Sequence, residues 1–117
     1  NTTLYTLLGY DPHSLFISRK IIDCLYFKDN AELIFGAPVF KTGKNIQYRL
    51  LFAYSAKVAM SLKYNETLKM IVFDHLSPSS SSYTGLYQYY GPDFSFDGLK
   101  FDDGYWNLLE DIDVRNK

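Results

Sequence analysis

The residues of this chain that could do chemistry are carboxylates, two histidines and a cluster of aromatic rings. Asp74, His75 and Ser77, in FDHLSP, are the residue types of an orienting carboxylate, a base and a nucleophile. In an extended segment Asp74 and His75 point to opposite faces, and no Gly-x-Ser-x-Gly elbow accompanies them. A histidine at a strand end bonding to the following loop is the better reading; His13, in a polar turn after Pro12, reads as exposed. Seven carboxylates (Asp93, Asp97, Asp102, Asp103, Glu110, Asp111 and Asp113) crowd a segment whose counter-charge is Lys100. Their spacing matches no calcium loop, and Asp102-Asp103 is explained by turn chemistry. In the strand register expected below, Asp97 falls across from Glu110. Such a pair, about 5 to 10 Å apart, is the acid and base or nucleophile of a glycosidase, although opposed carboxylates also occur at strand ends with no role.

The aromatic residues suggest recognition. Tyr83, Tyr87, Tyr89, Tyr90 and Trp106 lie in or near a serine-rich loop and the last hairpin, and flat rings bordered by carboxylates and amides stack on sugars or clasp peptides. With eleven tyrosines in the chain, some must instead fill the core. The expected binding face is His75, Tyr83, Tyr87, Tyr89, Tyr90, Asp93, Asp97 and Trp106, with a glycan or a protein as partner. There is no Cys/His cluster for zinc, no Gly-rich phosphate loop and no nicotinamide fingerprint. The sequence therefore assigns no catalytic residue, metal ligand or cofactor.

Strands must position these groups. In IQYRLLFAYS (residues 46–55) and KVAMSLKY (residues 57–64) apolar and polar residues alternate with period two, which predicts two half-buried strands. LKMIVFDH follows Asn65-Glu66-Thr67 and completes a hairpin, with Leu62 opposite Met70 or Ile71. Upstream, a turn at Asp29-Asn30 would set Tyr26 against Leu33 and Leu25 against Ile34, apolar on both faces and hence covered on both sides. Gly36 and Pro38 predict a bulge or edge, and residues 41–45 predict a turn. Asp103-Gly104 is the strongest hairpin signal, placing Phe101 opposite Trp106 and Leu99 opposite Leu108. Asp11-Pro12 before HSLFISRKIIDCLYF offers a helix start, but its β-branched and aromatic residues favour a strand. LSPSSSSYTG (residues 76–85) reads as an exposed loop. A weak echo at about 37 residues, in LYFKDNAELIF, LKYNETLKMIVF and LKFDDGYWNLL, is what similar hairpins produce without duplication.

The predicted architecture is a single mainly β domain spanning residues 1–117, an antiparallel meander strongly curved into a small barrel or sandwich. The runner-up is α+β with one helix near residues 12–26. A length of 117 residues suffices for one core without disulfides. Cys24 stands alone within an apolar run and reads as a small buried hydrophobe. A net charge of -1 argues against nucleic-acid binding, and no apolar run approaches the roughly 20 residues of a membrane span. The start at Asn1, without an initiator Met, suggests a processed or trimmed chain.

The phrases FDHLSP, YQYYGPDFSFDGLKF and EDIDVRN, with FAYSAKVAMSLKYNETLKMIVFDHLSP, YTLLGYD and KIID, resemble a family of uncharacterised conserved hypothetical proteins of Bacteroidota. The chain departs from that pattern at Phe96, where Tyr is expected, and at Ala53, where Glu is expected. The resemblance implies the C-terminal part of a longer exported protein with a periplasmic or cell-envelope home, and carries no activity or catalytic residues. The function expected is a non-enzymatic binding or structural module with an aromatic and acidic recognition face. The alternative is a hydrolase using Asp97 and Glu110, or Asp74 and His75. Were the aromatics all buried, a scaffold domain would replace both.

Overall fold

The computed structural model describes residues 3–115. They form ten strands: β1 Tyr5–Asp11, β2 Ile17–Phe27, β3 Leu33–Phe35, β4 Phe40–Thr42, β5 Asn45–Gln47, β6 Leu50–Ser55, β7 Leu62–Asn65, β8 Met70–Pro78, β9 Tyr90–Asp102 and β10 Tyr105–Leu109. Apart from two 3-10 turns, at Ser81–Tyr83 and Tyr87–Tyr89, the described residues carry no helix. The β-branched and aromatic residues of β2 prevail over the Asp-Pro signal, so the segment offered as a helix only in the runner-up architecture, near residues 12–26, is a turn followed by a long strand, as the preferred reading expects.

The strands make two open sheets rather than a closed barrel. In the four-stranded sheet β2 has β1 along one side; on the other, Leu25–Phe27 pairs with β3 while Ile17–Ile22 pairs with β6. The gap between β3 and β6 is sealed where the Gly36 amide donates to the Cys24 carbonyl and the Arg49 guanidinium reaches Asp23 at 3.0 Å. Gly36 has φ +91°, and a Cβ there would stand 2.8 Å from Arg49 Nη2, so a side chain would displace this closure. The six-stranded sheet runs β5-β4-β10-β9-β8-β7. Its β7 to β10 portion is the expected meander; the β4–β10 pair is parallel.

Both sheets feed one core. Ile22, Cys24, Leu50 and Tyr54 from the first sheet meet Phe40, Ile71, Phe73 and Leu99 from the second. The Phe52 and Phe73 rings bridge the two at 4.8 Å. Period two explains the selection: alternate residues of β2 and β6 face this core, and the intervening ones face out. Cys24 is buried as expected, and burial pushes its thiol pKa up. The outer face of β2 and β3 is not covered; Phe27, Leu33 and Phe35 are exposed.

The last hairpin has the expected register, Phe101 opposite Trp106 and Leu99 opposite Leu108. The other two differ. Tyr26 pairs with Ile34, one residue from the expected partner, because Ala31 adopts φ 66° and closes a three-residue loop. Leu62 pairs with Phe73, because the turn occupies residues 66–69, with Asn65 Oδ1 accepting from the Leu68 amide and Lys69 at φ 58°. The run at residues 57–64 is a strand only from Leu62, and the run at 46–55 breaks at Tyr48-Arg49 into β5 and β6.

Candidate functional site

The site is built where the β8–β9 ladder slips. Asp74 pairs with Phe96 and Leu76 with Pro92, so Asp93, Phe94 and Ser95 stand opposite His75 alone. Such a bulge bends the strand and re-aims its side chains. Phe94 takes φ 70° and is thrown into solvent at 94% exposure. The same slip gathers polar groups. His75 Nδ1 lies 2.6 Å from Asp97 Oδ2, and Asp97 Oδ1 accepts the Asp111 amide at 3.0 Å. Asp93 Oδ2 accepts from the Ser77 hydroxyl at 2.8 Å, and Asp93 Oδ1 accepts from both the hydroxyl and the amide of Ser95.

Asp97 is a charged residue only 7% exposed. Its two oxygens are each engaged, which is how a carboxylate near the core is tolerated. The bond to Asp97 is the main cause of a raised His75 pKa, with burial opposing it and the charges of Asp97, Asp93 and Glu110 adding to it. Three hydrogen bonds hold Asp93 in the opposite direction. Led by the Ser95 hydroxyl, they lower its pKa to about 2 against residual burial, so its carboxylate is ionised at neutral pH.

Beside this cluster lies a cleft of about 780 Å³ between the sheets' neighbouring ends. Tyr89, Tyr90, Pro92 and Asp93 form one wall; Leu15, Phe16 and Val58 supply apolar surface, and Lys57, Ser77 and Gln88 bring polar groups. The volume lies within the range of small-ligand sites, which combine apolar walls with a few placed polar groups. The serine-rich segment is exposed, as its composition requires, yet ordered by local bonds. Ser80 caps the first 3-10 turn, the Ser79 amide donates to the Tyr89 carbonyl, and the Gly85 amide donates to the Tyr90 hydroxyl at 2.9 Å. Tyr83 stacks on Tyr89 with centroids 4.1 Å apart, and Tyr87 tilts against Tyr90 at 5.0 Å.

Of the expected binding face, Tyr89, Tyr90 and Asp93 line the cleft. Tyr83 and Tyr87 do not line it but pack their rings on Tyr89 and Tyr90, and His75 and Asp97 form the adjoining pair. Trp106 lies apart from them. Its ring packs edge-on against Phe101 at 5.2 Å and its Nε1 donates to Thr6 Oγ1, joining β10 to β1 beside the core. Asp74 is not the partner of His75; its carboxylate accepts the Ser61 amide. Sequence reasoning missed Leu15, Phe16, Lys57 and Val58. Leu15 and Phe16 occupy a hairpin tip at 90% and 67% exposure, and two large apolar residues in a turn were a readable signal. Among the described residues no group of three or more His, Cys, Asp or Glu could hold a metal ion.

No helix of the described residues is long and apolar enough to cross a membrane. Compared with protein-family models, curated proteins and solved structures, the chain finds no match in any of the three.

Proposed function

We propose that the chain is a binding module whose cleft takes a ring-bearing polar ligand, a saccharide before others. The observation that carries this is the convergence of Tyr89, Tyr90 and Asp93 with Phe16 and Val58 on one cleft of about 780 Å³. Ring faces stack on the apolar face of a sugar, while an ionised carboxylate accepts from its hydroxyls. Asp93 is ionised and clamped by Ser77 and Ser95, so it is oriented before a ligand arrives. A cell-envelope home, which the resemblance to the Bacteroidota family implies, would bring such a cleft among glycans.

Glycan-array screening followed by calorimetry tests the proposal. Tyr89→Ala should weaken binding by about tenfold, the worth of a good aromatic contact. Tyr90→Phe, which removes the hydroxyl bonded to Gly85 and keeps the ring, should retain most of it. Saccharide binding unchanged in folded Tyr89→Ala protein, or no saccharide bound at all, overturns the reading.

A hydrolase is the second reading, favoured by the His75–Asp97 contact, which is how an orienting carboxylate holds a base. Against it, the Ser77 hydroxyl donates to Asp93. The alternative pair, Asp97 with Glu110, has Asp97 already committed to His75 and the Asp111 amide.

A further inference from the structure

We propose that β1 is the docking edge of a symmetric dimer, in which the Tyr5–Asp11 strands of two copies pair antiparallel about Leu8. β1 has β2 along one side and no described strand along the other. A bare edge offers a row of unpaired amides and carbonyls, which proteins ordinarily blunt with shortness, charge or a cover. Among the described residues, the other outermost strands are blunted. β3 and β5 are three residues long, β5 runs between Lys44 and Arg49, and β7 has four residues including Lys63. β6, whose second side pairs with no described strand, packs against the Tyr87–Tyr89 turn.

β1 shows none of these devices over Tyr5–Tyr10 and carries its one charge at its last residue, Asp11. It is seven residues long, without proline, and uncharged from Tyr5 through Tyr10. Its large side chains stand exposed on both faces: Tyr5 and Leu7 on the outer one, Leu8 and Tyr10 on the other. What such an edge accepts is another strand, and the sequence of β1 is complementary to itself. With Leu8 at the two-fold axis, Thr6 meets Tyr10, Leu7 meets Gly9 and Tyr5 meets Asp11. Like charges are never opposed in this register. Each Asp11 arrives neutralised by Arg19 at 2.6 Å and faces a tyrosine of the other copy, whose hydroxyl is a donor. Gly9 leaves the space that the other copy's Leu7 needs: a Cβ there would have Ile21 as its nearest neighbour, at 3.9 Å. The pairing is isologous, so it closes at two copies instead of growing, and it keeps the outer faces of both sheets on one side.

Light scattering and sedimentation equilibrium on the whole chain test this. Wild type should reach twice the 13.6 kDa protomer mass with rising concentration. Leu8 is 41% exposed, so a charge there is compatible with the fold. Leu8→Lys and Leu8→Glu, confirmed folded by circular dichroism, should each raise the dimer dissociation constant at least about tenfold by opposing like charges. An equimolar mixture of the two should dimerise again, because Lys then faces Glu. Wild type that stays monomeric, open-ended assembly, a dimer indifferent to Leu8→Lys, or variants that fail to pair when mixed would each overturn the proposal. Capture of an extended peptide by a monomeric wild type would overturn it in favour of a foreign strand.

Discussion

His75 Nδ1 and Asp97 Oδ2 stand 2.6 Å apart at the slip in the β8–β9 ladder, and this contact is half of a longer connection. The other oxygen of Asp97 accepts the Asp111 amide, and the Ile112 amide donates to the Phe96 carbonyl. One nearly buried carboxylate thus ties β8 to the segment that leaves β10. Asp111 adopts φ 52° to make the bond, a conformation that Asp tolerates better than most side chains.

That connection titrates with a definite sign. The folded-state pKa of His75 is raised, chiefly by its bond to Asp97, so its proton stabilises the fold. The contribution is fully present below the unfolded value of about 6.5 and is lost as pH rises through the higher folded value. Chemical denaturation of wild type and His75→Gln between about pH 5 and about pH 9 should show a stability difference that shrinks as pH rises. A difference that is constant, or that grows with pH, would show that His75 does not carry a stabilising proton.

Asp93 titrates in the opposite sense. With a folded pKa of about 2 against an ordinary 3.8, its contribution is present above the unfolded value and disappears as pH falls through the folded one. Its largest cause is the Ser95 hydroxyl, so Ser95→Ala should move the carboxyl resonance of Asp93 to a higher titration midpoint, and Ser77→Ala should do so by less. Side-chain carboxyl NMR reads both. The same Ser95→Ala protein should bind a saccharide less tightly if the clamp orients Asp93 for a ligand.

Local chemistry was readable in the sequence wherever a turn used the residues that turns prefer. Asp103 and Gly104 adopt φ 53° and 82°, the pair of positive values that a two-residue hairpin needs, and the register of β9 and β10 follows. Asp29-Asn30 and Asn65-Glu66-Thr67 mark the other two turns, but Ala31 and Lys69 take positive φ without being Gly or Asn, so nothing at the closing residue fixes the loop length and the registers move by one to three residues. The partner of His75 was hidden for a different reason. Asp74 is its neighbour in sequence, but three residues of β9 opposing one of β8 bring Asp97 to it, and no local pattern announces a bulge of that size. The tyrosines and Asp93 were legible as a cluster, because they fall in one exposed segment of the chain. The opposite wall, Phe16 and Val58, comes from distant turns that only the pairing of the strands brings together. Trp106 was misplaced because exposure was inferred from its neighbours in a hairpin, whereas that hairpin is internal to its sheet, with β4 on its far side.

The tail that Asp97 anchors also depends on a glycine. Gly98 pairs with Val72 of β8 and Leu109 of β10, and the side chain of Ile112 folds over it. A Cβ at Gly98 would stand 2.9 Å from Ile112 Cδ1 and 3.4 Å from Met70 Sδ. The first clash is with the end of a side chain that can rotate away, so Gly98→Ala should displace Ile112 while leaving β9 in place. The expected cost is about 1 kcal/mol, the low end for overpacking a filled site. Ile112→Ala removes the obstacle, and in that background Gly98→Ala should cost little or nothing, a coupling that a double-mutant cycle measures directly. Additive effects would mean that the tail does not rest on Gly98, and that the Asp97–Asp111 bond holds it without help from packing.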